Sequence, residues 1–155
     1  MNGPACSRSR ARRLGQSGQA MVEFALVVPM FLLLLFLIIE GGRFILYYET
    51  LNNATREGAR YAIVNGINTL GCPSGPYPKN PALECDRDGN NVIARVRSAA
   101  FGVLGSGVVV SPSWWPDNGR GSTVTVTATY TYTTIIPVPL PAITVSAESS
   151  LVINN

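Results

Sequence analysis

The dominant feature of the hydrophobic pattern is an unbroken apolar run, FALVVPMFLLLLFLII, over residues 24–39. A run that is apolar in every direction leaves no polar stripe for water, so it predicts a helix immersed in apolar surroundings and not the face of a soluble core. Extended back to Gln19, the stretch has 21 residues interrupted only by Glu23. That is long enough to cross the hydrocarbon of a bilayer, which takes about 20 helical residues. After Gly41 and Gly42 the pattern changes. Apolar or small residues recur at Phe44, Tyr47/Tyr48, Leu51, Ala54, Gly58 and Ala62, in steps of three and four, while Glu49, Asn52, Asn53, Arg56, Glu57 and Arg60 fill much of the rest. This spacing predicts an amphipathic helix continuing the apolar one, with Pro29 and the glycine pair as bend points. If continuous from Ala20 to Asn65, it would measure ~68 Å at 1.5 Å per residue.

The remaining pattern is that of a small mixed domain. Residues 65–91 are rich in Gly, Pro and Asn and read as loop. VIARVRSAAFGVL, residues 92–104, predicts a short helix capped by Asn90 or Asn91, with Val92, Val96, Ala99/Ala100 and Val103 on one face. Residues 108–110 are a short strand candidate, and Trp114 and Trp115 fall in a Pro-flanked turn, as packing residues or as an exposed interface anchor. In STVTVTATYTYTT, Val124, Val126, Ala128, Tyr130 and Tyr132 alternate with threonines, which predicts a strand with one apolar and one Thr face. The Thr face is either a solvent face or a subunit contact. After IIPVPLP, Ile143, Val145, Ala147, Leu151 and Ile153 form a second strand of the same kind. An antiparallel pair covering a helix face follows, so the fold class is α+β. The expected division is a basic leader (1–18), a transmembrane helix (19–40), its amphipathic extension (41–65) and a small outer domain (66–155).

Charge supports that division. The chain of 155 residues carries 12 Lys+Arg against 9 Asp+Glu, a net +3, with a low charged fraction of 14%. Four arginines (Arg8, Arg10, Arg12, Arg13) stand before the apolar run, which leaves eight basic against nine acidic residues, −1, in the rest. The positive charge belongs to the tail, which argues against a nucleic-acid-binding domain. Basic residues before the run, with Glu40 and Arg43 cancelling after it, place the N-terminus in the cytoplasm and the outer domain outside. A cleaved secretory signal peptide is the competing reading. The run is long for one, and EGGRF after Ile39 offers no A-x-A-like site.

Little in the sequence suggests catalysis. There is no histidine, which excludes Ser-His-Asp and Cys-His machinery and HExxH zinc sites. No nucleophile–base pair can be nominated, Lys79 being the only lysine, and no cofactor is expected. Cys72 and Cys85 enclose a loop of about 14 residues outside the cytoplasm, which favours a disulfide worth roughly 3 kcal/mol in the chain-entropy model. Two cysteines fall short of a zinc set. Cys6 sits in the tail. Asp86-Arg87-Asp88-Gly89-Asn90 matches the first part of a calcium loop, but position twelve from Asp86 is Arg97 where a glutamate would close it. A plain turn is the simpler reading.

Glu23 is the costly residue, since an ionisable group in a membrane helix needs a partner or a purpose. It stands five residues after Gly18. Cleavage after Gly18 would make it residue five of a chain beginning with the α-amino group of Gln19. A terminal ammonium on one helix and a carboxylate one turn into its neighbour would then neutralise each other on packing. Together with Phe24 and the VEFALVVP entry, this resembles the prepilin-peptidase site of type IV pilins and pseudopilins. The longer stretch, adding the E-x-x-R pair Glu40/Arg43 and the A-x-R-E-G-A-R run at residues 54–60, resembles the TadE-like family, the minor pilin or pseudopilin-type proteins of Tad (Flp) pilus systems. The closing strand, prolyl link and ITVSAESSLVI also look like that family.

The resemblance implies a pilin-like structural subunit without enzymatic activity in the bacterial inner membrane. Its partners would be lipid, other pilin or TadE-like subunits, a prepilin peptidase and the Tad assembly platform. Glu23 would set helix register, and Glu40, Arg43, Arg56, Glu57 and Arg60 are subunit-contact candidates. The bland reading of the last three is a solvated face with a local Glu57–Arg60 pair. The alternative function is a permanently anchored, uncleaved extracytoplasmic adaptor or binding module.

Overall fold

A computed structural model describes residues 11–76, 85–135 and 142–154, with side chains from residue 18 onward. Cys6, Arg8, Arg10, Lys79 and most of the Pro-rich link lie outside the described residues. The elements run α1 (Ala11–Val64), α2 (Asn90–Leu104), β1 (Val109–Trp115), β2 (Thr123–Tyr132) and β3 (Ile143–Val152). The class is α+β, as the alternation of periods predicted. The chain forms two compact units, Met1–Gly41 and Gly42–Asn155.

In the first unit α1 is already helical at Ala11, earlier than the polar composition of residues 1–18 suggested. Propagating an existing helix costs far less than nucleating one, and Ala11 to Leu14 are ordinary helix formers. Pro29 lies inside α1. It lacks the N–H that would bond the Ala25 carbonyl, a loss that membrane helices tolerate where neighbours restore the bond.

The second unit places its helices on one face of an antiparallel sheet of order β1-β2-β3. β2 is central, with Val110 opposite Ala128 on one side and Ala128 opposite Ala147 on the other. Its even positions Val124, Val126 and Ala128 are fully buried, while the threonines between them stay partly exposed. Leu51, Ala54, Thr55, Ala59 and Ala62 of α1 and Val92, Val96, Ala100 and Leu104 of α2 complete the core. At Gly58 α1 lies directly against α2: a β-carbon there would collide with Val96 Cγ2 and touch Val92 and Val126.

Three expectations need correction. β1 is longer than residues 108–110 and includes Trp114 and Trp115, which are strand residues and not a turn. Pro112 is tolerated because β1 is an edge strand, where a missing N–H need not break a ladder. Trp114 packs over Gly75 and Gly89, both at positive φ, and a β-carbon on either would run into its ring. Secondly, neither Asn90 nor Asn91 caps α2. The cap is Gly89, and both carboxylate oxygens of Asp86 accept from the first helical N–H groups: Asn90 N to Oδ1 at 2.6 Å and Asn91 N to Oδ2 at 2.8 Å. A carboxylate satisfies two of the orphan donors at that end and also suits the helix dipole. Lastly, the Glu57–Arg60 pair is replaced by a contact between helices, described below.

Candidate functional site

Among the described residues, the apolar run is exposed along its length. From Met21 to Ile39 its large side chains are exposed apart from half-buried Val28, Phe24 by 69% and Met30 by 77%, and none of its most apolar stretch is buried. The helix Gly18–Val64 is long and apolar enough to cross a membrane. Gly18 leaves a shallow hollow bordered by Gln19, Val22, Glu23 and Leu26. A β-carbon on Gly18 would meet no other atom. Gln19 and Glu23, four residues apart, share a helical face. Gly18, Gln19 and Glu23 thus border one accessible patch, whereas Phe24, though exposed, does not line it.

Glu40 closes the apolar run and is half-buried. Arg43, on the second unit, lies over two aromatic rings, 5.4 Å from the Tyr47 centroid and 5.6 Å from that of Tyr132, and donates to Tyr47 Oη at 3.3 Å. Phe44 meets Tyr132 edge-on at 5.5 Å, and Tyr47 meets Tyr130 at 5.6 Å. Such edge-to-face contacts contribute beyond the area they bury. The even positions of β2, read from sequence as a plain apolar face, therefore end in an aromatic group that holds the first turns of α1 in this unit. Tyrosine at positions 130 and 132 was the signal; its partner on α1 was not legible.

Arg56 and Arg60 are exposed. Glu57 turns toward α2, where Arg95 Nη2 and Nε donate to its Oε1 at 2.6 and 3.1 Å. The Arg95 hydrogen bond, then its charge, holds the Glu57 carboxyl below its usual range against a smaller effect of burial, with Arg60 contributing a weaker charge effect. The Glu57–Arg60 spacing suits an i,i+3 pair, but Arg95 offers two N–H donors to one oxygen. No sequence rule places Arg95 opposite Glu57 before the helix crossing at Gly58 is known.

Cys72 and Cys85 are joined by a disulfide, their Cα atoms 5.3 Å apart. The bond ties two backbone segments that also meet through Gly75 N to the Asp86 carbonyl at 2.7 Å and Ser74 Oγ to Asp86 Oδ2 at 3.3 Å. The Asp-rich run is thus a turn in which Asp86, nearly buried, spends its carboxylate on α2 and Ser74. Among the described residues no three His, Cys, Asp or Glu side chains gather as a metal set. The arrangement as a whole offers surfaces for apolar and ionic packing.

Residues 18–60 match the family model described as TadE-like protein. The match contains Gly18, Glu23, the Glu40/Arg43 pair and the run through Arg60, the segment whose motifs carry the resemblance. No curated protein matches the chain, and no solved structure does.

Proposed function

We propose that this chain is a membrane-anchored structural subunit of a Tad-type pilus or a related secretion machine, of the minor pilin or pseudopilin kind. The TadE-like match implies a Tad pilus-related role and a structural, non-enzymatic kind of protein. The observation that carries the finer reading is where the matched residues lie. All fall on one helix, whose first part shows apolar side chains on every face and a single carboxylate, Glu23, beside Gly18.

Stored in the inner membrane with its arginines in the cytoplasm, the subunit would be cut after Gly18 by a prepilin peptidase. The Gly18–Gln19 peptide is helical here. Cleavage requires that turn to open, and glycines at 15 and 18 each weaken the helix by about 1 kcal/mol relative to alanine. The new ammonium on Gln19 and Glu23 of a neighbouring helix then neutralise each other, so that only one axial stagger leaves no charge bare in an apolar bundle. Arg56 and Arg60, exposed outside the membrane, are placed to meet an acidic surface of another subunit.

The test is the N-terminus of the protein purified from its native host, with Gly18→Ala and Glu23→Ala in parallel. A start at Gln19, an unprocessed Gly18→Ala product, and a processed Glu23→Ala chain that fails to assemble are expected. An intact N-terminus in assembled wild-type protein would instead identify a permanently anchored adaptor.

A further inference from the structure

The second unit is polarised along the direction in which α1 crosses it. Arg43, Phe44 and Tyr47 of α1 meet Tyr130 and Tyr132 at the C-terminal end of β2. Gly66, just past α1, lies against Ile153 and Asn118, with Ile67 N donating to the Asn118 carbonyl at 3.2 Å. The chain therefore enters this unit at the end of the sheet defined by Tyr132 and its partner Ile143, and α1 ends at the opposite one.

The entry end carries several exposed apolar side chains and no aspartate. Ile135 and Ile143 flank the β2–β3 connection, Val109 opens β1 opposite Thr129, and Phe101 stands on the last turn of α2. Phe101, Val109 and Ile135 are each exposed by more than 60%, and Phe44 and Tyr48 add partly exposed rings. All three aspartates of the chain, Asp86, Asp88 and Asp117, lie at the other end, with the start of α2 and the turn after β1. Val64, Leu70, Trp115 and Val152 are exposed at that end too, so it is the aspartates more than apolar exposure that distinguish the two ends.

We propose that the entry end of this unit docks on the phospholipid headgroup layer, so that the folded domain rests on the membrane instead of standing clear of it. This rests on the membrane anchorage proposed above. Continuity decides the occupant. Arg43 follows the last apolar residue, Ile39, by four residues, at most about 14 Å of chain. One headgroup layer is about 5–8 Å deep. Docked this way, Phe44, Phe101, Val109, Ile135 and Ile143 would reach the level where aromatic and amphipathic side chains concentrate in membrane proteins. Arg43 holds its guanidinium over the Tyr47 and Tyr132 rings at this end, a cationic and aromatic group of the kind found at membrane interfaces. Aspartates, repelled by anionic lipid, lie at the far end.

The full chain with Cys6→Ser, reconstituted in phosphatidylethanolamine–phosphatidylglycerol vesicles, tests this with single nitroxide labels at Phe101→Cys, Ile143→Cys, Asn68→Cys and Phe31→Cys. The three positions on the folded domain are exposed, so the labels leave its core intact. Labels at 101 and 143 are expected to collide with oxygen more often than with a water-soluble nickel chelate, and the label at 68 the reverse. Water-like values at 101 and 143, with the label at 31 still in lipid, would overturn the docking and leave the anchor standing. Water-like values at 31 as well would remove both. Shielding of 101 and 143 from both reagents, with spin–spin broadening that vanishes on dilution with unlabelled chain, would assign the surface to a second subunit and overturn the lipid docking.

Discussion

The crossing of α1 and α2 at Gly58 gives the sharpest test of the packing. A β-carbon at this position meets Val96 Cγ2 well inside contact distance, with Val92 Cγ1 and Val126 Cγ1 each at 3.6 Å. Val96 is fully buried on a helix, where a β-branched side chain has essentially one rotamer, so it cannot swing aside. Overpacking of this kind costs about 1–3 kcal/mol. Gly58→Ala also gains about 1 kcal/mol of helix propensity, so the net expected loss is roughly 0–2 kcal/mol. The informative variant is the double one. Val96→Ala alone removes two buried methyl groups, a loss of about 2 kcal/mol with its cavity. In Gly58→Ala/Val96→Ala the new methyl occupies the space vacated, so the pair should cost less than its parts by at least about 1 kcal/mol. Urea unfolding of the full chain in detergent, followed by tryptophan fluorescence, reports on this unit because half-buried Trp114 sits over Gly75 and Gly89. A Gly58→Ala chain stabilised by its full propensity gain, with costs additive to Val96→Ala, would refute the close approach.

Two further outcomes follow from the polar contacts. Glu57 ionises below its ordinary value of 4.5, so the Arg95 contact stabilises fully above about pH 4.5 and is lost as pH falls through the lowered value; the difference in urea midpoint between wild type and Glu57→Gln should vanish in acid and persist at pH 7. Asp86→Ala strips two helix N–H groups and the Ser74 hydroxyl of their acceptor and should cost about 2 kcal/mol in the same unfolding assay, with Asp86→Asn, which keeps one carbonyl oxygen, losing less.

How far the sequence discloses this molecule depends on the range of the interaction. Period and run length are local, so the apolar helix, the three-and-four stripe through Leu51, Ala54, Gly58 and Ala62, and the alternation at 124–132 were all legible and lie where expected. Glu23 was conspicuous because a charge in an apolar run needs no tertiary context to be noticed. The corrections share the opposite property. Asp86 caps a helix starting four residues later because a glycine turn swings its carboxylate back, and Glu57 chooses Arg95, 38 residues on, over Arg60 beside it. The strand through Pro112 and Trp114 was hidden because a proline reads as a breaker until the strand is known to lie on an edge. The aromatic group around Arg43 likewise joins residues almost ninety positions apart.

The buried core of the second unit begins at Leu51, and none of its members comes from the apolar run. Its stability rests on the helix crossing, the sheet, the Asp86 cap and the disulfide, all within residues 42–155. Changes at Gly18 or Glu23 therefore act on surfaces that contribute nothing to that core. On the function proposed above, this separation would let the helix exchange lipid for other helices while the core of the folded domain keeps its contacts. Arg43 stands at the boundary, tied by ring contacts to Tyr132 of the domain and only four residues beyond Ile39. Within the domain, that contact secures the first turn of its helix to the end of β2, as the Asp86 carboxylate secures the start of α2.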